Sequence, residues 1–300
     1  MTRPRQLADA PSLTATVPRQ LVHRAAVAET LLTDWRRTGT DRFSVSAQWP
    51  RAHGLHVSSD WSAYDPLLVV ETVRQSGTLV AHTEYDVPLD HQFVLQELQV
   101  VTVPGKLGVG PLPAEPEVEL AFTDVRYRGR RPAAVRYTAR VLRDGDPVAT
   151  ADVAFTCVSA PVYRRLRGGR TPDTVTAVPV PPAAPAADVG RSLPTDVVLS
   201  SADGPDRRQL RVDTGHPVFF DHPLDHVPGM LLLEAARQAA RLRTGPERAP
   251  VAYGARFHRY AELDEPVWIE TSGGQRGDVQ VLGAQGKSTV FECLVGTAAR

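Results

Sequence analysis

Lysine occurs only at Lys106 and Lys287, isoleucine only at Ile269, and asparagine not at all. All three have AT-rich codons, so their scarcity points to a GC-rich bacterial genome rather than to a fold. Cysteine is confined to Cys157 and Cys293 with no C-x-x-C, which makes a disulfide framework or a structural zinc site an unsuitable reading. No run approaches the roughly 18 uninterrupted apolar residues of a membrane span. The N-terminus has two early arginines, Arg3 and Arg5, with no apolar stretch behind them, unlike a secretory signal. The cytoplasm is the expected compartment. The 34 basic and 34 acidic side chains cancel, so no overall field draws the chain to nucleic acid or an anionic membrane, and any anionic ligand must meet a local cluster.

What remains is ordinary globular material, 42% hydrophobic and 23% charged, and 300 residues are enough for two domains with real cores. Residues 164–194 include GGRTPD and AVPVPPAAPAAD, lack helical or strand periodicity, and read as a Pro/Ala-rich linker. The predicted domains are 14–163 and 195–300. They align with each other. Pro66 to Gly77 matches Gly229 to Ala240 without a gap at an offset of 163 residues, so that Glu71, Arg74 and Gln75 fall on Glu234, Arg237 and Gln238. Arg42 to Trp49 resembles Arg208 to Thr214, and Ala154 to Val158, holding Cys157, resembles Val290 to Leu294, holding Cys293. Three matches in one order predict a duplication.

Each half then reads as a strand region, a loop, one strongly apolar helix and several long alternating strands. Asp65-Pro66 and Pro228-Gly229 open the helices, and Asp144-Gly145-Asp146 is a hairpin turn. An α+β fold follows, with an antiparallel sheet wrapped around one buried helix in each half.

Glu71 and Glu234 sit within apolar helical runs, where a carboxylate needs a partner or a task. Burial alone raises the carboxyl pKa and suits general acid–base work, whereas Arg74 or Arg237 three residues on holds it ionised for binding or structure. Asp221-His222 and Asp225-His226 are two acid–histidine pairs in a proline-bearing loop; the first half offers His53 and His56. Such pairs serve as bases, as structural hydrogen bonds or, less suitably in this loop, as metal ligands. The N–H groups near Leu67-Leu68 and Gly229-Met230 suit an oxyanion, though ordinary helix-start chemistry accounts for them equally. Arg51, Arg74 and Arg237, with Gln75 and Gln238 of the shared motif, are candidates for binding substrate, the arginines through phosphate. Cys157 and Cys293 fit small hydrophobes better than nucleophiles. Gly105 to Gly110 matches no phosphate-loop spacing.

The run FFDHPLDHVPGMLLLEAARQAA followed by ARFHRYAELDEPVWIE resembles hotdog acyl-thioester enzymes, among them the 3-hydroxyacyl-carrier-protein dehydratases. Pro228-Gly229, Glu234 and Ala255-Arg256-Phe257 match, but His222 and His226 stand 12 and 8 residues before the glutamate, closer than the dehydratase spacing. Nearly the whole chain is similar to the A-factor biosynthesis hotdog family, through Val22-His-Arg-Ala-Ala-Val-Ala-Glu29, Ala47-Gln-Trp-Pro-Arg-Ala-His53, Asp65-Pro-Leu-Leu68, Glu71-Thr-Val-Arg-Gln75, His91-Gln-Phe93 and Asp221 to Gly229. The resemblance implies a double hotdog packed as a pseudo-dimer. It also implies transfer of a β-ketoacyl group from an acyl carrier protein thioester to the hydroxyl of dihydroxyacetone phosphate, in making a γ-butyrolactone-type signal. Partners are then acyl carrier protein and these two substrates, with no resident cofactor or metal, since phosphopantetheine arrives on the donor. The resemblance to single-hotdog dehydratases, whose loop histidine and helix acid come from opposite subunits, implies that His222 or His226 faces Glu71 and that His53 faces Glu234. The alternatives are a hotdog thioesterase or dehydratase, and a non-catalytic acyl-binding protein.

Overall fold

The computed structural model describes residues 15–201, 204, 206–274 and 277–299; the early arginines of the N-terminus lie outside them. The chain forms β1 (Leu32–Gly39), β2 (Arg42–Ala47), α1 (Pro66–Glu84), β3 (Gln92–Thr102), β4 (Glu117–Arg128), β5 (Arg131–Arg143), β6 (Asp146–Val158) and α2 (Ala160–Leu166). It continues through β7 (Arg207–Gln209), α3 (Gly229–Thr244), β8 (Arg248–Phe257), β9 (Trp268–Gly273), β10 (Asp278–Gln285) and β11 (Ser288–Ala299).

All eleven strands join one antiparallel sheet in the order β1-β2-β4-β5-β6-β3-β8-β11-β10-β9-β7. From the central β3–β8 pair outward, β6-β5-β4-β2 on one side answers β11-β10-β9-β7 on the other. This is a double hotdog, with α1 lying in the curve of the first half and α3 in that of the second. The junction pairs Leu98 with Ala255 and Val100 with Tyr253, all four buried, so one hydrophobic core runs through both halves.

The two helices begin as their sequences require. Asp65 caps α1, its side chain accepting from Leu67 N at 2.9 Å with Pro66 in the first turn, whereas Pro228 opens α3 without a side-chain cap. Asp144 and Gly145 both have positive φ, the requirement of a two-residue turn matched to strand twist. β1 is a strand that periodicity misses: it is mostly polar and half-buried without alternation, and is held by pairing with β2 and by Trp35 and Arg37, which both donate to Glu84 at the end of α1. No helix among the described residues is long and apolar enough to cross a membrane.

Gly77 fixes how closely α1 meets the sheet. A Cβ there would lie 2.5 Å from the ring end of Tyr137, which is buried and donates to Val73 O at 2.9 Å. Gly77→Ala should therefore destabilise the protein by about 1–3 kcal/mol, overpacking outweighing the ~1 kcal/mol of helix propensity gained. A urea midpoint equal to or above wild type would show that the ring can yield.

Candidate functional site

The shared helix motif builds the same polar centre twice. Glu71 is 1% exposed and receives Arg74 Nε at 2.8 Å and Nη2 at 2.7 Å, Arg24 Nε at 3.0 Å and Nη2 at 2.6 Å, and Gln75 Nε2 at 2.7 Å. Glu234, fully buried, receives Arg237 Nε at 2.8 Å and Nη2 at 3.0 Å, Arg191 Nε at 2.8 Å and Nη2 at 2.5 Å, and Gln238 Nε2 at 2.5 Å. Each glutamine also ties its helix to the incoming chain. Gln75 bonds Leu31 N and Glu29 O, and Gln238 bonds Val198 N and Asp196 O.

Burial alone would push both carboxyls up, but Arg24 and Arg74 hold Glu71 well below the usual carboxylate range, and Arg191 and Arg237 hold Glu234 at about 2. Of the two readings open to these residues, the structure selects the ionised one; neither has the raised pKa of a general acid. Sequence reasoning identified Arg74 and Arg237 but not the second arginine of each centre. Arg24 was visible only as part of the Val22-His-Arg phrase. Arg191 lies in the proline-rich stretch 164–194, whose composition says extended chain and nothing about burial.

The halves exchange loops, as expected of a hotdog pair. Asp221 from the second half accepts from Ala25 N at 2.8 Å and sits 3.5 Å from Arg24, while its other contact, at 2.5 Å, holds Nδ1 of His222. His222 thus stands beside the Glu71 centre with 40% of its side chain exposed. In return Arg191 donates to Leu55 O at 2.5 Å, and Asp65 lies 3.7 Å from Arg191 and 3.6 Å from Arg237.

Two other candidate histidines go elsewhere. His53 does not turn to Glu234: its Nε2 lies 3.3 Å from Glu29, and its Nδ1 accepts from Leu55 N and His56 N, so the ring is spent closing its own turn. Its true counterpart is His216, which does the same with Asp196, Val218 N and Phe219 N. His226 bonds Asp225, which also accepts from Tyr163 and the buried Arg167, and Arg167 continues to Glu262. That pair anchors α2 rather than joining Glu71.

Arg51 is exposed and donates to Gly110 O. Gly229 serves packing, since a Cβ would meet the Phe257 ring at 3.2 Å; Met230 is buried behind it, and Leu231 N bonds Pro228 O as in any helix start. Burial pushes the Cys157 and Cys293 thiols up to about 12, which leaves no thiolate for attack. No cluster of three or more metal-ligating residues occurs among the described residues.

The two centres differ where access matters. Arg74 keeps 25% of its side chain exposed and its Nη1 makes no hydrogen bond among the described residues, whereas Arg237 is 8% exposed and donates to Val189 O, which closes over it. The offset of 167 that relates Arg24 to Arg191 places Gly190 opposite His23, and the helix offset of 163 places Gly245 opposite His82 and Phe219 opposite His56. The first half thus carries His23, which feels Arg74, His82 paired with it, and His56, which feels both Glu71 and Glu234, and none of their counterparts is titratable.

His56 is 3% exposed, its Nδ1 has no partner, and burial first, then His53 and Arg191, lower its pKa to about 3 against the pull of Glu71 and Glu234. The folded chain keeps it neutral while the unfolded chain binds a proton below about 6.5. Its contribution is therefore complete above pH 6.5 and falls as pH drops towards 3, by up to about 2 kcal/mol between pH 6.5 and 5. His56→Phe, matching Phe219, should flatten the loss of urea stability over that interval; parallel losses in the two proteins would show that the ring is charged in the fold.

Over residues 5–159 and 173–292 the chain matches the A-factor biosynthesis hotdog domain, AfsA. A 2-oxo-3-(phosphooxy)propyl 3-oxoalkanoate synthase of Streptomyces virginiae is 49% identical over 292 residues, covering 95% of this chain and 98% of that protein. One of the same name from Streptomyces coelicolor is 43% identical, covering 92% of this chain and 89% of the other. Among solved structures, an acyl-ACP thioesterase from Bacteroides thetaiotaomicron matches with a TM-score of 0.52 at 12% identity, over 86% of this chain and 98% of that one, a likeness of fold alone.

Proposed function

Since this chain belongs to the A-factor biosynthesis hotdog family, we propose that it is an acyltransferase joining a 3-oxoacyl group to the hydroxyl of dihydroxyacetone phosphate, the ester that its relatives' name describes. The supporting observation is Arg74. Glu71 fixes its guanidinium through two contacts and leaves Nη1 without a hydrogen bond among the described residues, on a side chain 25% exposed, which suits a charge-assisted grip on a phosphate dianion. His222, oriented by Asp221 from the other half, stands beside it as a second ligand of the phosphate. The first-half centre is the reactive one in this reading, and the sealed Glu234 centre holds the halves together.

The acyl donor is a thioester, and acyl carrier protein is its proposed carrier. Transfer from sulfur to oxygen changes no oxidation state, so the reaction calls for no resident redox cofactor, and phosphopantetheine comes with the donor. Purified protein should convert a 3-oxoacyl thioester and dihydroxyacetone phosphate into the phosphorylated ester, read by mass spectrometry with carrier-protein and coenzyme A donors compared. Free acid alone, formed equally without the alcohol, would make it a thioesterase; no turnover with either donor would make it a binding protein. Better turnover from coenzyme A would remove the carrier-protein assignment only.

A further inference from the structure

We infer that His23 is the base of this reaction, taking the acceptor hydroxyl's proton on Nδ1, with His82 as the residue that positions it. The inference rests on the acyl-transfer reading above. Its observations are a hydrogen-bond chain, a backbone conformation and a break in the internal symmetry.

The chain settles which nitrogen is free. His82 Nδ1 lies 2.7 Å from Val87 O, and a carbonyl only accepts, so this nitrogen carries the hydrogen. In a neutral imidazole the other nitrogen is then a lone pair. His82 Nε2 lies 2.8 Å from His23 Nε2, so His23 donates there and keeps its own lone pair at Nδ1. Burial favours the neutral state on both rings, and His82, Arg74 and His222 reinforce it at His23. The same two residues, Arg74 and His222, are those assigned to the phosphate in the acyl-transfer reading, and both act electrostatically on His23. Phe93 packs edge-on against both imidazoles at 5.0 Å and holds the pair in place.

His23 adopts a left-handed backbone, φ 54° and ψ 48°, which costs a non-glycine residue about 1–2 kcal/mol. That conformation turns the ring of residue 23 to His82 while the guanidinium of Arg24 reaches Glu71, so that consecutive residues meet α1 at two points. The second half keeps the turn without the ring: Gly190 has φ 66°, and Gly245 stands where His82 would be. Arginine, glutamate and glutamine are duplicated, but the imidazole pair is present only beside the arginine that remains open.

In the transfer, the hydroxyl oxygen bonds to the thioester carbon as its proton passes to Nδ1. Collapse of the tetrahedral intermediate breaks the C–S bond, and the proton moves from Nδ1 to the departing thiolate. An incoming phosphate dianion offsets the charge of Arg74, which raises the basicity of Nδ1 when the alcohol is in place.

His23→Gly tests this, because glycine already occupies the equivalent left-handed turn. With wild type shown to form the ester, the variant should lose 10²- to 10⁴-fold in kcat with KM for dihydroxyacetone phosphate within threefold, and added imidazole should restore part of the loss. Its residual rate should rise roughly tenfold per pH unit above 7, hydroxide having replaced the base. His82→Leu should show a smaller loss with the same steepened pH profile. Should His23→Gly not fold, His23→Gln gives the same kcat and pH readings without rescue. Retained kcat, or a loss with unaltered pH dependence and no response to imidazole, overturns the assignment. A wild type that forms no ester overturns the acyl-transfer reading instead.

Discussion

Glu234→Ala will cost the protein about 3–5 kcal/mol of stability, because it leaves the buried guanidiniums of Arg191 and Arg237 with Asp65, at 3.7 and 3.6 Å, as the one carboxylate paired with them among the described residues. Glu71→Ala should cost less, since Arg74 can turn to solvent and Arg24 keeps Asp221. Guanidinium titrations of both variants measure the difference. A Glu234→Ala protein within 1 kcal/mol of wild type would mean that water or rearrangement replaces the carboxylate at no great cost. Acid gives a second view. Because the folded pKa of Glu234 is depressed to about 2, its stabilisation is present above pH 4.5 and is lost as pH falls through 2.

Arg74→Ala should fold normally and lose about 100-fold or more in kcat/KM for dihydroxyacetone phosphate, equivalent to ~2.7 kcal/mol of transition-state binding. Glu71 keeps Arg24 and Gln75 in this variant, so the carboxylate is not stranded. Arg74→Lys should recover little, since an ammonium cannot both engage Glu71 through two nitrogens and leave a third for phosphate. Unchanged kinetics in Arg74→Ala, with the ester still formed, would move the phosphate to another site.

Residue types repeated at one spacing were legible from sequence alone: the two E-x-x-R-Q helices, their starts at Asp65-Pro66 and Pro228-Gly229 and the long alternating strands all stand where pattern places them. Features built from two spacings were not. Arg24 and Arg191 repeat at 167 residues while the helices repeat at 163, so a gapless comparison separates each arginine from its glutamate. His53 looked like the partner of the second-half acid–histidine loop because both are histidines in pre-helix loops; the hydrogen bonds pair it with His216 instead. The His23–His82 contact joins residues 59 positions apart with no counterpart in the other half, and only the folded chain brings them together. The E-x-x-R-Q pattern also could not say whether the glutamate would be protonated, since that depends on a second arginine from elsewhere.

The exchange of loops has a consequence for how the protein is made. When the first half leaves the ribosome, Asp221 and Val218, which complete the surroundings of Arg24, have not been synthesised. The nascent N-terminal half therefore carries an edge strand, β3, and a cation awaiting partners nearly two hundred residues downstream. Its final packing waits for the C-terminal half, which ties maturation of the Glu71 centre to completion of translation. A fragment ending before residue 195 should accordingly be a client for chaperones, not a small working version of the whole.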